Sequence, residues 1–212
     1  NEMMISARRN FLELGFYDPL IERIKEIIQA DLTFNNNHFI ALDAGCGEGY
    51  YSEKVMNNIH GLTSQILGTD ISKYAVKNAA KKYKDNFYFV SSVFNLPIAT
   101  ESTDLILSIF SPFQPEEFRR ILTKDGYVII VNPGENHLKE LAELIYDTFK
   151  PHENNVPEKM ASSFVLQGTK KATFNIHITE VTSLLILLKM TPYYWSTSKE
   201  NLAKIENCKD IN

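Results

Sequence analysis

Several features that would settle the class of this chain at once are scarce or missing. It has two cysteines, Cys46 and Cys208, too few for a disulfide framework or, by themselves, for a zinc site. A reducing compartment, the cytoplasm, is therefore the expected location. The longest apolar run, Leu184 to Leu188, falls far short of the ~20 residues of a membrane-spanning helix, and there is no N-terminal signal pattern. No membrane partner is expected. Positive charge is short as well: 22 Lys and Arg stand against 26 Asp and Glu, a net charge of −4. Nucleic-acid phosphates would find no overall basic face, only local patches. Neither an internal repeat nor a low-complexity tract is present. The first residue is Asn1 rather than methionine, so the chain is expected to be a fragment with a segment missing upstream.

What is present fits one α/β domain with a real core: 212 residues, 44% hydrophobic and 23% charged. The rest is organised around Leu42-Asp43-Ala44-Gly45-Cys46-Gly47-Glu48-Gly49. An apolar run, Phe39 to Leu42, precedes it, and a helix opens at Tyr50. Three alternating glycines after a strand let the backbone turn sharply and bring N–H groups within reach of a ligand. A second apolar strand, Gln65 to Asp70, ends in another acid about 20 residues beyond the loop, as in nucleoside-binding βαβ units.

Before the loop, helical spacing covers Met4 to Leu12, with Gly15 as a stop, and Asp18-Pro19 opens a second helix through Ile28. Asn35-Asn36-Asn37 reads as a loop. After Asp70 come a helix over Lys73 to Tyr83, strands at Phe87–Val90 and Asp104–Phe110, a helix over Glu116 to Leu122 and a strand at Tyr127–Val131. Lys73, Lys77, Lys81 and Lys84 lie near one exposed face of the helix over Lys73 to Tyr83. Near-continuous apolar strands alternating with helices predict a doubly wound, mostly parallel sheet, with ligands beyond the carboxyl ends of the strands. Further on, a helix over Asn136 to Phe149, a polar loop over 151–157, alternating stretches at Ser163–Leu166 and Ala172–Ile178, and a helix over Leu184 to Lys189 are expected. The last residues from Cys208 stop where a final strand would begin.

The spacing D-x-G-x-G-x-G differs from the dinucleotide pattern G-x-G-x-x-G. It resembles motif I of the class I S-adenosylmethionine-dependent methyltransferases, which implies a seven-stranded sheet, a loop that backs the cofactor's methionine part, and ribose hydroxyls held by Asp70. Four segments are more specific: Ala7-Arg8-Arg9-Asn10-Phe11-Leu12 through Leu20, Asp43 through Tyr51, Pro133-Gly134-Glu135-Asn136-His137-Leu138, and Met190-Thr191-Pro192-Tyr193-Tyr194-Trp195. In that order they resemble the bacterial large-subunit rRNA guanine-N1 methyltransferases, the RlmA family. The resemblance implies methyl transfer to nitrogen 1 of a guanine in 23S rRNA, with Tyr17, Asp43, Gly45, Gly47, Glu48, Gly49, Asp70 and His137 around the cofactor. It also implies a small Cys/His domain upstream, so zinc is expected only if that domain exists in a longer protein. Some members are dimers, so a homodimer is carried as an expectation. Residues 1–34 would form a helical segment capping the cofactor site, and 35–212 the methyltransferase domain, with substrate-side elements around 136–200.

Each singled-out residue has a plainer alternative. Asp70 could simply cap a helix, Glu48 and His137 could be solvated, and Tyr17 could be a core aromatic. Cys46 between glycines reads as structural, since nothing nearby supplies a base. Ser92 stands near where many class I enzymes carry an acid for adenine. Phe110-Ser111-Pro112-Phe113 occupies the place of an N-P-P-aromatic motif, which weakens an exocyclic-amine target and leaves a ring nitrogen. Phe110, Phe113, Tyr193 and Trp195 are candidates to stack on an extruded base, against core packing. Arg8 and Arg9 are the candidates for phosphates. Ser111, Asn132 and His137 are unranked candidates for handling the guanine proton, and no metal is needed for that step. A small-molecule methyltransferase and a non-catalytic cofactor-binding ribosome-assembly factor are the alternatives. Asp70→Ala is expected to weaken S-adenosylmethionine binding at least several-fold by calorimetry, and an unchanged affinity removes Asp70 from the site.

Overall fold

A computed structural model of the chain describes residues 2–34, 38–56, 63–146 and 148–206. The loop expected at Asn35-Asn36-Asn37 and the final strand expected from Cys208 lie outside the described residues. The elements run α1 (Glu2–Glu13), α2 (Asp18–Asp31), β1 (His38–Ala44), α3 (Tyr50–Met56), β2 (Thr63–Asp70), α4 (Lys73–Lys82), β3 (Phe87–Val90), β4 (Thr103–Ile109), α5 (Pro115–Ile121) and β5 (Leu122–Val131). Then follow α6 (Lys139–Glu143), α7 (Val156–Met160), α8 (Val181–Met190), α9 (Tyr193–Ser196) and α10 (Lys199–Glu206). They fall into two compact units, one of Leu20–Asn132 and Asn154–Lys170, the other of Asn1–Pro19, Pro133–Glu153 and Lys171–Asn212.

The first unit holds a five-stranded sheet in the order β3-β2-β1-β4-β5, parallel throughout. Strand order reverses between β1 and β4, which makes the carboxyl end of β1 the switch point where ligands of such sheets sit. Register brings the strand ends level there: Asp43 stands opposite Gly68 on β2 and Leu107 on β4. The sheet is the doubly wound, parallel kind expected, but of the seven strands implied by the resemblance five are found among the described residues.

Successive side chains of a strand point to opposite faces, yet β1 and β4 are buried on both. Leu42, Ala44 and Ile106 join Val93, Leu96, Phe118, Ile121 and Leu122 in one core cluster. Phe39, Ala41, Leu105 and Leu107 point the other way and are also buried. Burial on both faces is why these strands read as unbroken apolar runs. A brace closes the loop between β3 and β4: Glu117 accepts from the Leu96 N–H at 2.6 Å, and Arg120 donates to the Leu96 and Ile98 carbonyls at 2.9 and 2.8 Å. Arg120 is thereby committed to structure, as is Lys170, which pairs with Asp31 at 3.5 Å.

In the second unit α1 buries Ala7, Phe11 and Leu12 and packs along α8, whose own buried residues are Leu184, Leu187 and Leu188. Three expectations change here and nearby. The helix predicted over 136–149 shrinks to α6, because Leu138 takes a left-handed conformation (φ +53°) and a turn closed by the His137 N–H on the Gly134 carbonyl precedes it. The stretch 163–166 is no strand: the N–H groups of Ser163 and Phe164 both return to the Met160 carbonyl and prolong the turn of α7. Over 172–178 the alternation survives without a ladder, with Phe174, Ile176 and Ile178 more buried than their neighbours. Three further helices, α7, α9 and α10, stand where none was expected. Phe118, wholly buried in the sheet unit, sets a test of this core. Phe118→Ala should cost about 3–5 kcal/mol in denaturant unfolding, and a loss below about 1 kcal/mol would show that the site collapses without penalty.

Candidate active site

The glycine turn takes the shape its spacing implies. Gly45, Gly47 and Gly49 all have positive φ, +86°, +56° and +79°, a region that side chains other than glycine rarely adopt. At Gly45 space is equally decisive. A Cβ there would lie 1.9 Å from Ser111 Oγ, so the loop after β4 can approach the turn only against bare backbone. Phe110, just before Ser111, is itself left-handed (φ +52°), with its N–H held by the Val131 carbonyl at 2.9 Å.

The N–H groups of the turn are spent differently from what was expected. Those of Gly45 and Cys46 both donate to the Thr69 carbonyl at 2.8 Å, that of Gly47 to Asp70 Oδ2 at 3.0 Å, and that of Gly49 to the Cys46 carbonyl at 2.9 Å. Three of these N–H groups bind the turn to the end of β2 and the fourth closes the turn on itself, instead of facing a ligand. Two acids hold the arrangement from either side. Asp43, 2% exposed, accepts from the Ser52 hydroxyl at 2.6 Å and so ties β1 to α3. Asp70 spans the turn and the next helix: its Oδ1 accepts from the N–H of Ser72 at 2.8 Å, and Ser72 caps α4 through the Ala75 N–H. Glu48 is tied sideways, its Oε1 accepting from Asn78 of α4 at 2.6 Å. Cys46 is buried, with its thiol 3.5 Å from the Gly47 carbonyl.

Tyr88 was not singled out in the sequence, yet its ring lies where a Cβ on Gly68 would be (2.5 Å) and its hydroxyl where one on Gly49 would be (2.6 Å). Burial pushes this hydroxyl well above the ordinary phenol range, against the pull of hydrogen bonds from Asn86 and Ser52. A glycine in mid-strand, Gly68, was the signal that something passes close by. Ser92 closes a short turn, its Oγ accepting from the Phe94 N–H at 3.3 Å. Phe113 packs against the core cluster, while Ser111 and Asn132 are half-buried.

The second unit brings Tyr17 and His137 together. The Tyr17 hydroxyl and His137 Nε2 are 3.5 Å apart, with the rings edge to face at 6.4 Å. Burial holds the Tyr17 hydroxyl up at about 12, opposed by the charge of Arg8. Burial, with His152 beside it, lowers His137 to about 4, so its ring is neutral near pH 7. His152, unremarked in the sequence, has its ring 6.1 Å from His137 and its N–H on the Glu135 carbonyl. Tyr193 stands edge-on to Tyr146 at 5.7 Å, and Trp195 is 60% exposed with Tyr194 against it. Arg8 and Arg9 sit half-buried on α1. Among the described residues no three His, Cys, Asp or Glu side chains converge to hold a metal ion, and no helix is long and apolar enough to cross a membrane.

This geometry can be set beside known proteins. A family model described as a methyltransferase domain matches residues 42–130, from the glycine turn to the end of β5. The crystal structure of YcgJ from Bacillus subtilis shares the fold, with a TM-score of 0.58 over 87% of this chain and 82% of that one at 16% identity. A Haloferax volcanii protein provisionally named a methyltransferase, solved in complex with the methyltransferase activator Trm112, gives 0.54 over 76% and 75% at 21% identity. Two curated relatives extend the likeness beyond the sheet. The 23S rRNA (guanine(748)-N1)-methyltransferase of Streptomyces fradiae is 27% identical over 95% of this chain and 71% of its own length. YxjB of Bacillus subtilis (strain 168), provisionally named a 23S rRNA (guanine-N1)-methyltransferase, is 30% identical over the whole of this chain and 76% of its own length. With a relative at that identity and that coverage, the chain belongs to the 23S rRNA (guanine-N1)-methyltransferase family.

Proposed function

We propose that the chain transfers a methyl group from S-adenosylmethionine to nitrogen 1 of a guanine in 23S rRNA. The observation that carries this is the glycine turn locked to the carboxyl end of β2 by Asp70, in a chain of this family. The cofactor, when bound, supplies a methyl made electrophilic by its sulfonium. The residues fit it. Each oxygen of Asp70 accepts one backbone N–H, and a carboxylate has about four lone-pair positions, so both oxygens can also take a ribose hydroxyl. Bare backbone at Gly47, beside Asp70, admits a close approach, while the space over Gly45 and Gly49 is taken by Ser111 and Tyr88. Asp43 ties β1 to α3 beside this turn, Tyr17, Glu48 and His137 are carried as cofactor-side residues on the family resemblance, and Ser92 for its place after β3.

On the substrate side Arg8 and Arg9 are assigned to phosphates, and Phe110, Phe113, Tyr193 and Trp195 to stacking. As nitrogen 1 gains the methyl it must lose its proton. Ser111 and Asn132 carry no group that ionises near neutrality, so they can only orient the base through hydrogen bonds. His137, lowered to about 4, is too weak a base for efficient proton removal near pH 7. Solvent water therefore takes the proton. Residues 1–34 serve the cofactor and the elements around 136–200 the RNA; a homodimer and a cytoplasmic setting belong to the same proposal, and zinc only if an upstream Cys/His domain exists in a longer protein.

Calorimetric titration with S-adenosylmethionine, followed by radiolabelled methyl transfer to unmodified 23S rRNA, tests it. Binding with transfer to one guanine is expected, and the absence of cofactor binding would sink the whole assignment. His137 adds a pH prediction. Between its ordinary value of 6.5 and about 4, the unfolded chain takes up a proton that the folded chain refuses. Its contribution to stability is thus complete above pH 6.5 and lost as pH falls toward 4. His137→Gln should flatten that part of the melting temperature against pH, whereas a profile identical to wild type would show that the ring titrates normally.

A further inference from the structure

Helix α4 carries charge that the fold does not account for. Lys73, Lys77 and Lys81 are exposed at four-residue spacing, and exposed Lys84 follows just past the helix end. Residues four apart share one helix face and are separated by about 6 Å along the axis. The helix contains no acid, and none of these four lysines forms an ion pair among the described residues. Like charges four apart weaken a helix. The macrodipole explains lysines in the last turn, but Lys73 stands at the first position, where it disfavours a cation. Helices α2, α5 and α10 carry an acid in the first turn, although α10 opens on Lys199 as α4 opens on Lys73. Asp85, exposed next to Lys84, is the nearest acid along the chain beyond the stripe.

Two further observations bear on what would cover this face. The stripe begins three residues after Asp70, at the cofactor end of β2. It leads into β3, an edge strand of the sheet, where Phe87 is 58% exposed and Val90 50%. A row of lysines followed by an exposed aromatic ring is the combination by which proteins track a nucleic-acid backbone and stack its bases.

We infer that the α4 stripe, Lys73, Lys77, Lys81 and Lys84 with Phe87 beyond it, is a docking surface for the phosphate backbone of RNA flanking the target guanine. This rests on the rRNA reading of the site. The stripe supplies local positive charge to a chain whose net charge is −4 and holds the strand in register without reading its bases.

The test measures binding of the full chain to a labelled 23S rRNA hairpin fragment across a salt series. The variants are K73Q/K77Q/K81Q and a control, K54Q/K124Q/K204Q, which removes the same charge from exposed lysines elsewhere in the chain. The stripe variant should bind at least about tenfold more weakly, with the slope of log affinity against log salt shallower by about 2 to 3. The control should stay close to wild type, and both variants should bind S-adenosylmethionine as wild type does. Phe87→Ala should weaken binding with the salt slope unchanged. Wild-type binding that the stripe variant shares, slope included, overturns the stripe alone. A wild type that binds no RNA overturns the stripe and the rRNA reading together. Wild-type retention on poly-glutamate that the stripe variant loses, with RNA binding equal in both, overturns the proposal in favour of an acidic protein partner.

Discussion

The carboxylate of Asp70 is the constraint on which the site depends. One oxygen holds the N–H of Gly47 and the other that of Ser72, so a single side chain fastens the glycine turn to the start of α4. Hydrogen bonds to an ionised acceptor are about twice as strong as neutral ones, and this one lies at the end of a parallel strand whose register is set by its neighbours. Capping and cofactor recognition are not rival roles here. The same two oxygens that organise the backbone keep lone pairs for a ligand, and holding them still is what preorganises them.

Around that carboxylate the turn is shaped as much by exclusion as by bonding. Ser111 presses on Gly45, and Tyr88 on Gly49 and Gly68. Each contact would be a collision with any other residue, so the glycine turn, the loop after β4 and strand β3 can converge only because side chains are missing. Phe110 accepts a left-handed backbone to deliver Ser111 to that place, a conformation that costs on the order of 1 kcal/mol or more and persists only when the surroundings impose it. The β4–α5 connection is thereby placed against the turn, whatever the chemistry of its serine.

Electrostatics follow a similar local logic. The net charge argues against a nucleic-acid partner, yet charge is not spread evenly. Arg120 is consumed by the brace to Leu96 and Ile98, and Lys170 pairs with Asp31, while α4 keeps a row of lysines without acids. A sum over the chain could not distinguish committed cations from available ones.

The apolar runs, the acids at strand ends and the three spaced glycines were enough to determine the parallel sheet, its switch point and the turn itself, because these depend on periodicity and on local backbone sterics. The helix predicted over 136–149 failed for a reason no periodicity reveals, a left-handed Leu138 that interrupts it. The alternation over 172–178 was legible, but a ladder needs a neighbour in register along its length, and of this stretch Ile178 alone enters a β-bridge. Tertiary structure alone decided where the turn's N–H groups go, that Tyr88 fills the space above two glycines, and that burial leaves His137 neutral beside Tyr17. Each of these depends on residues far apart in the chain meeting at a few ångströms, and distance in space is what a linear pattern does not carry.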